Sequence, residues 1–159
     1  MDYTAAVITV SDLGSQGKHV DTSGPAVCQM VQDAGFRVIH TAIVPDEQAD
    51  IQKKLISCAD ELHANLILTT GGTGLSPRDV TPEATLQILD REIRAIPVAM
   101  WVEGLKITPR AMLSRAVTGT RGQSLIINLP GSEKAAQENL SAVIGALEHA
   151  IHMLAAEGH

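Results

Sequence analysis

Aromatic residues are nearly absent from this chain of 159 residues, which holds one Trp, one Tyr and one Phe. An aromatic surface on which nucleic-acid bases could stack is therefore not expected. The formal net charge is −6, and the sequence contains no basic run. We therefore expect no general binding to nucleic acid or to an anionic membrane, although a local cationic pocket for one small anion is compatible with this charge.

Cysteines and long apolar runs are also scarce. Cys28 and Cys58 fall inside helical patterns and lack the spacing of a metal site. No apolar stretch approaches membrane-spanning length, and the N-terminus has no basic segment followed by an apolar one. With 45% hydrophobic and 19% charged residues, the composition predicts a cytoplasmic, reduced globular protein, with residues 1–159 forming a single domain.

The chain does contain apolar runs that alternate with helical patterns. Strands are predicted over residues 4–10, 36–44, from 66 onward and over 124–129. Helices are predicted over residues 25–35 and 47–63, from Thr81 as N-cap, between Pro97 and Pro109, and from Ser132 as N-cap. Residues 111–117 fit either a helix or irregular structure. This order predicts a three-layer α/β/α domain with a largely parallel, mixed central sheet.

A glycine-rich loop follows the third predicted strand, with Gly71, Gly72, Thr73 and Gly74 in succession. Such a loop can be a surface turn, or it can let a ligand approach the backbone closely. Polar turns also follow the other predicted strands, at residues 11–12, 45–46 and 128–131. Because the carboxyl ends of parallel strands meet at one edge of a sheet, these four turns together favour a ligand site.

The expected site combines backbone amides with several carboxylates. Successive glycine amides can hold an anion, whereas carboxylates would repel one unless a hard cation such as Mg²⁺ lay between them. The candidate carboxylates are Asp12, Asp21, Asp46 and Asp79, and the candidate phosphate-neutralising cations are Arg78, Arg115 and Arg121. Any single Asp also fits the role of a helix cap or a turn former. The pattern predicts nucleotide-phosphate chemistry with magnesium.

Other nucleotide and hydrolase templates do not fit. The chain has no Gly-x-x-x-x-Gly-Lys-Ser/Thr motif and no Gly-x-Ser-x-Gly motif. Pro77 stands where a dinucleotide-binding fingerprint requires its third glycine. His149 and His152 lie one helical turn apart, but no third ligand has a suitable spacing, so an exposed helix surface is the better interpretation.

The segments Thr70 to Gly74 and Arg78 to Thr85 are the most distinctive in the chain. Further characteristic segments lie at residues 11–12, 21–25, 44–47, 105–109, 111–115 and 127–131. Together they resemble the molybdenum-cofactor biosynthesis proteins, and most closely the molybdopterin adenylyltransferase family, which includes bacterial MogA and the G domain of gephyrin. The resemblance covers nearly the whole chain.

The resemblance implies transfer of AMP from ATP to the terminal phosphate of molybdopterin, with Mg²⁺ as cofactor and release of pyrophosphate. It implies catalytic roles for Asp46, Asp79 and Asp21, with Asp46 and Asp79 also binding the metal. The implied nucleotide-binding residues are Ser11, Asp12, Gly71, Gly72, Thr73 and Gly74. The implied molybdopterin-binding residues are Ser76, Arg78, Ser114, Arg115, Asn128, Pro130 and Gly131. It also implies a homotrimer that transiently contacts a molybdenum insertase.

Two alternatives stay open at this point. The related MoaB proteins share the Gly-Gly-Thr-Gly stretch but commonly lack the Arg-Asp-Val-Thr-Pro series, which this chain has at residues 78–82. That series favours the adenylyltransferase over a MoaB-like paralogue. A non-catalytic molybdopterin-binding module of the same fold is the other alternative, because a fold does not determine a function.

Overall fold

A six-stranded mixed sheet forms the centre of the computed structural model, which describes residues 2–156. Its strands are β1 (Thr4–Val10), β2 (Arg37–Val44), β3 (Leu66–Thr70), β4 (Arg91–Glu92), β5 (Thr118–Arg121) and β6 (Ser124–Leu129). They lie in the order β2-β1-β3-β6-β5-β4. Strands β2, β1, β3 and β6 are parallel to one another. β5 pairs antiparallel with β6, and β4 pairs antiparallel with β5.

Helices cover both faces of this sheet. They are α1 (Asp12–Ser15), α2 (Ser23–Asp33), α3 (Gln48–Ile56), α4 (Thr81–Leu86), α5 (Ala95–Leu105) and α6 (Glu133–Ala155). A π-helical turn (Ser57–Glu61) follows α3, and a 3₁₀ helix (Pro109–Leu113) follows α5. Within residues 2–156, no helix has both the length and the apolar content that crossing a bilayer requires.

Alternate residues of the central strands pack on opposite sides of the sheet. In β1, Ala5 and Val7 join the core beneath α2, α5 and α6, whereas Ala6 and Ile8 join the core beneath α3 and α4. β3 and β6 follow the same alternation, and all three strands are buried on both faces. The predicted three-layer α/β/α architecture with a largely parallel sheet is therefore confirmed.

The strands with strong apolar patterns were predicted well. β1 has its predicted bounds, β6 lies over residues 124–129 as expected, and β2 begins one residue later than expected. Ser132 caps α6 as predicted, because its Oγ accepts a hydrogen bond from the amide of Ala135 at 3.2 Å. The helix predicted over roughly residues 47–63 lies at residues 48–61, because α3 begins at Gln48 and the π-helical turn that continues it ends at Glu61.

The sequence analysis missed the strands β4 and β5 and assigned one helix cap wrongly. β4 consists of two charged residues, and β5 (Thr118-Gly119-Thr120-Arg121) has no aliphatic side chain that would indicate a strand. The N-cap of α4 is Val80, not Thr81. Thr81 lies inside the helix, and its hydroxyl donates to the carbonyl of Gly71 at 3.0 Å. That bond anchors the glycine loop instead of capping the helix.

Candidate active site

The polar turns that follow β1, β2, β3 and β6 meet at one edge of the sheet. The amide of Ser11, after β1, donates to the carbonyl of Val44 at the end of β2, over 2.9 Å. The amide of Gly71, after β3, donates to the carbonyl of Leu129 at the end of β6, over 3.0 Å. These two bonds join the strand ends in pairs, and they place the candidate residues of four segments around one cleft.

Asp12 and Asp46 hold each other in place through their backbones. The amide of Asp12 donates to Asp46 Oδ2, and the amide of Asp46 donates to Asp12 Oδ1, each over 2.9 Å. Arg78 binds both carboxylate oxygens of Asp12, at 3.0 Å each, and also contacts Glu47 at 2.9 Å. The carboxylate of Asp12 is thus occupied by Arg78, while Asp46 Oδ1 is turned toward the glycine loop.

The two carboxylates have opposite electrostatic environments. Hydrogen bonds from Arg78 and from the amide of Asp46 lower the pKa of Asp12. Burial raises the pKa of Asp46; repulsion from Asp12 and Asp79 adds to this shift, while the amide of Asp12 and the charge of Arg78 oppose it. Asp46 is therefore a carboxylate whose ionised form lacks sufficient compensating charge from the protein itself.

Asp21 is held at the start of α2. Its Oδ2 accepts from the hydroxyl of Thr9 at 2.7 Å, and its Oδ1 accepts from the amide of Gly24 at 3.0 Å. The hydroxyl of Ser23 lies 3.4 Å from the same Oδ1 and 3.0 Å from Thr70 Oγ1. With donors on both oxygens, Asp21 is fixed in position, which suits the supporting role that the sequence predicts for it.

The glycine loop needs its glycines for steric reasons. Gly71 and Gly72 have φ angles of +98° and +72°, a region that other residues adopt only at a cost. A side chain on Gly71 would clash with the carbonyl of Val10. A Cβ on Gly72 would clash with Thr81 Oγ1 and would lie 3.2 Å from Asp46 Oδ1. The backbone of this loop therefore lies directly against the candidate catalytic groups.

Two cavities adjoin at this loop. The smaller cavity, of about 270 Å³, is lined by Ser11, Asp21, Asp46 and Gly71 among others. The larger cavity, of about 680 Å³, lies between the loop, the segment after α5 and the first turns of α6. Gly72, Asp79 and Gly131 line both. A ligand in one cavity would therefore meet a ligand in the other beside Asp79.

The model of the family described as "Probable molybdopterin binding domain" matches residues 6–149. The chain belongs to this family. The resemblance inferred from the sequence motifs is thereby confirmed.

Several proteins are similar to this chain over most of its length. Gephyrin of Dictyostelium discoideum is 44% identical, over 96% of this chain and 23% of gephyrin. A molybdopterin adenylyltransferase of Helicobacter pylori is 39% identical, over 93% of this chain and 85% of that enzyme. The chain spans about a quarter of the length of gephyrin and of cinnamon from Drosophila melanogaster.

Solved structures of the family have the same fold. The structure of MoaB from Thermus thermophilus superposes with a TM-score of 0.91 at 46% identity, covering 96% of each chain. A structure of MogA superposes with a TM-score of 0.91 at 34% identity, covering 96% of this chain and 99% of the other.

Most of the sequence-predicted site residues line the two cavities. Ser11, Asp21, Asp46 and Gly71 face the smaller cavity. Thr73, Gly74, Ser114 and Pro130 face the larger one, and Gly72, Asp79 and Gly131 face both. Thr73 and Gly74, expected to bind nucleotide together with Gly71 and Gly72, lie on the larger-cavity side of the loop.

Asn128 was expected to line the cleft, and this expectation is wrong. Its side chain is completely buried, and its amide nitrogen donates to Thr69 Oγ1 and Thr85 Oγ1 at 3.0 Å each. Its side-chain oxygen accepts from the amide of Val117 at 3.1 Å. Because both polar atoms of its side chain are already bound to the protein, Asn128 stabilises β6 beneath the cleft and is not available to a ligand.

The arginines and Ser76 also differ from expectation. Arg78 is bound to Asp12 and Glu47 outside both cavities. Ser76 is exposed, and its amide donates to Asp79 Oδ2 at 3.1 Å, so it supports Asp79 from outside the cleft. The guanidinium group of Arg115 donates to the backbone carbonyls of Gly74 and Asp79.

Arg121, a third candidate for neutralising phosphate charge, lies at the opposite edge of the sheet. It ends β5 beside Ser124, the first residue of β6, and pairs with Asp60 over 2.8 Å. Arg121 therefore cannot contact a ligand in this cleft.

The larger cavity contains cations that the sequence analysis missed. Arg110 and Lys134 line it, together with Thr108, Ser132 and Asn139. One signal was available for Lys134, which lies in the first turn of α6. A cation there opposes the helix dipole, which suggests a role other than helix stability. In the smaller cavity the missed residues include His19, Val20 and Thr22.

Asp79 lines both cavities, and Asp46 lines the smaller one. Among the side chains of residues 2–156, no group of three or more His, Cys, Asp or Glu residues is arranged to hold a metal. A site with two protein carboxylates is the type that Mg²⁺ uses when phosphate oxygens and water complete its coordination.

Proposed function

We propose that this protein is a molybdopterin adenylyltransferase. An oxygen of the terminal phosphate of molybdopterin attacks the α-phosphorus of ATP, the bond from that phosphorus to the bridging oxygen breaks, and pyrophosphate leaves. The observation that carries the proposal is the junction of two cavities at Asp79 and Gly72. Support also comes from the Helicobacter pylori relative, whose name states this activity.

The two cavities suit two anionic substrates. The smaller one offers hydroxyl groups and loop backbone around Asp21 and Gly71, and we assign it to the nucleotide phosphates. The larger one combines Ile107 and Leu113 with the cations Arg110 and Lys134, and we assign it to the phosphorylated pterin. The attacking phosphate is already anionic at neutral pH, so the protein needs no strong general base. Catalysis then depends on alignment and on charge neutralisation.

Mg²⁺ fits the chemistry of the junction. The carboxylate oxygens there suit a hard metal ion, and the pKa of Asp46 is raised by burial and, further, by the charges of Asp12 and Asp79. A hard cation would relieve this repulsion, and we assign Asp46 and Asp79 as its ligands. When bound, the ion neutralises phosphate charge and polarises phosphate oxygens. The protein's own contribution is to hold Asp46 through the amide of Asp12 and Asp79 through the turn at Ser76.

The proposal includes the homotrimer, the transient contact with a molybdenum insertase and the cytoplasmic location that the sequence predicts. Exposed apolar side chains on α5 support self-association. Val98, Val102 and Leu105 are 48%, 51% and 46% exposed in the single chain, and a contiguous apolar surface of this kind is usual at protein interfaces.

The test is a direct assay of the reaction. The purified protein is incubated with molybdopterin, ATP and Mg²⁺, and adenylyl-molybdopterin and pyrophosphate are quantified against reactions that lack protein or ATP. Equimolar formation of both products is expected. If active molybdopterin yields neither product, the proposal is wrong.

A second candidate is a MoaB-like paralogue, which the 46% identity to MoaB from Thermus thermophilus favours. It predicts no complementation of an adenylyltransferase-deficient strain. The remaining alternative, a non-catalytic molybdopterin-binding module of the same fold, predicts tight pterin binding without ATP consumption. The adenylyltransferase predicts ATP-dependent product and complementation.

A further inference from the structure

Arg115 is one of the most highly connected side chains near the cleft, yet it lines neither cavity. Its Nε donates to the carbonyl of Gly74 at 2.9 Å, and its Nη2 donates to the carbonyl of Asp79 at 2.8 Å. Its Nη1 contacts the carboxylate of Glu83. One guanidinium group therefore spans both ends of the turn over residues 74–79 and the first turn of α4.

The backbone of Arg115 adds a fourth connection. Its amide donates to the carbonyl of Thr73 at 2.9 Å. The residue before it, Ser114, lines the larger cavity. Arg115 thus ties the segment that forms one wall of this cavity to the loop that carries Asp79.

A direct contact of Arg115 with substrate does not fit this geometry. All three nitrogens of the guanidinium group are engaged, two of them with part-buried backbone carbonyls. The carboxylate of Glu83 balances its charge. Burial alone would raise the pKa of Glu83, but the hydrogen bond and charge of Arg115, together with a hydrogen bond from the Glu83 amide, lower it overall. Breaking these contacts would leave two carbonyls without donors, which costs free energy for each buried group.

We propose that Arg115 is a positioning residue that fixes the position of Asp79 relative to Ser114, which lines the larger cavity. The planar fork of an arginine can bridge two carbonyls and a carboxylate at once, whereas a lysine ammonium is a single point of charge on a flexible stem. The inference rests on the proposed function for its link to catalysis. Its structural part, that Arg115 orders residues 74–79, can be tested without any substrate.

The variants are Arg115→Lys and Arg115→Ala, with Arg121→Lys and Arg121→Ala as matched controls. Arg121 makes the same kinds of contact, donating to the carbonyl of Ile88 at 2.8 Å and to both oxygens of Asp60. It lies at the opposite edge of the sheet, so its removal reports the general effect of losing such an arginine. Steady-state kinetics is measured with ATP and molybdopterin, with and without millimolar guanidinium.

For both Arg115 variants we expect kcat to fall roughly 10- to 100-fold, because small displacements of a reacting group have effects of this size. The KM values should stay close to those of the unmodified protein. Added guanidinium should restore part of the kcat of Arg115→Ala. The Arg121 variants should keep their kcat, and guanidinium should not raise it.

Amide hydrogen exchange tests the structural part in the ligand-free protein. The amides of Ser76, Asp79 and Thr81 are bonded within this loop, to Asp79 Oδ2, the Ser76 carbonyl and the Gly72 carbonyl. They should exchange faster in the Arg115 variants and at the normal rate in the Arg121 variants. If Arg115→Ala does not fold, Arg115→Lys carries the same test.

The outcomes separate the inference from the proposed function. A raised KM for molybdopterin with unchanged kcat would mean that Arg115 binds the pterin directly, and it would overturn the inference. Unchanged exchange at residues 76–81 would overturn it as well. If the unmodified protein forms no product while exchange accelerates in the variants, the adenylyltransferase proposal fails but the positioning of the loop stands.

Discussion

The two cavities of this protein are built in different ways. In the smaller cavity the polar groups are held by backbone, since Asp21 is bound to the amide of Gly24 and Asp46 to the amide of Asp12. In the larger cavity Arg110 and Lys134 extend from helical segments. The smaller cavity is thus a rigid site formed by strand ends, whereas the larger one depends on long side chains.

Under the proposed function, this difference bears on how each substrate is bound. In a rigid, hydrogen-bonded site the reacting groups are already aligned, so no side-chain entropy is lost when the ligand binds. Long cations can adapt to a larger ligand, but each loses rotamer freedom when it binds. We therefore expect substitutions at the smaller cavity and the junction to affect kcat, and substitutions in the larger cavity to affect KM for the pterin.

Asp79→Asn should have the largest effect, because Asp79 lines both cavities. We expect kcat to fall by about 100-fold or more, the size seen when one preorganised polar group of a site is lost. The fold should persist, since Asn can still accept the hydrogen bond from the amide of Ser76. Asp90→Asn is the control, because Asp90 accepts from the amide of Gly122 at 2.7 Å in a loop outside both cavities. Unchanged turnover in Asp79→Asn would contradict its assigned role.

Gly72→Ala should come next and should destabilise the protein. Gly72 and Gly17 share a φ of +72°, but only Gly72 has neighbours that a Cβ would meet. We expect Gly17→Ala to cost about 1 kcal/mol for its backbone conformation. Gly72→Ala should cost about 3 kcal/mol or more, because Thr81 must also move. Chemical denaturation measures both, and equal costs would show that the loop is not tightly packed against Thr81.

Arg110→Ala should have a moderate effect confined to one substrate. Loss of a hydrogen bond to a charged group predicts a rise of about 10-fold in KM for molybdopterin, with KM for ATP little changed. Arg94→Ala is the control, because Arg94 is exposed, pairs with Glu92 and lines neither cavity. Steady-state kinetics with each substrate varied in turn measures the two constants. A rise in KM for ATP instead would mean that the cavities are assigned the wrong way round.

The smallest effects should appear in the pH dependence of stability without metal or ligand. The pKa of Asp46 is raised, so its ionised form destabilises the fold, and this penalty disappears as pH falls through that pKa. Asp46→Asn should therefore be more stable than the unmodified protein at neutral pH, and the difference should vanish in acid.

Asp12 should show the opposite sign. Its pKa is lowered, so the stability that its ionised form contributes is present at neutral pH and is lost as pH falls through the lowered pKa. Asp12→Asn should thus be less stable than the unmodified protein at neutral pH and equal to it in acid. Thermal unfolding between neutral and acidic pH measures both variants, and shifts of the same sign would refute the contrast.

The sequence predicted the parts of the fold and site that depend on local pattern. β1 and β6 are runs of aliphatic residues buried on both faces, and such runs are visible without a structure. The convergence of Ser11, Asp46 and Gly71 followed from parallel topology alone. β5 was missed because its strand pairs through the backbone and carries no aliphatic side chain.

Which polar residues face the cleft was less predictable. Arg110 and Lys134 had no assigned role in the sequence analysis, although both line the larger cavity. Asn128 and Arg115 were expected there because the family resemblance implies that their motifs bind the pterin. Neighbouring residues in an extended segment point to opposite sides, so position in a motif does not determine exposure.

The amino-acid sequence by itself determined the layered fold, the family and the edge of the sheet at which the site lies. Hydrophobic period, sequence motifs and the order of strands and helices can all be read without a structure. Only the tertiary structure decided which polar groups bind ligand and which brace the protein. Asn128 finds its partners 59 and 43 residues away, and Arg115 bonds to carbonyls 41 and 36 residues away. Hydrogen-bond partners this distant along the chain are set by packing, and no local pattern records them.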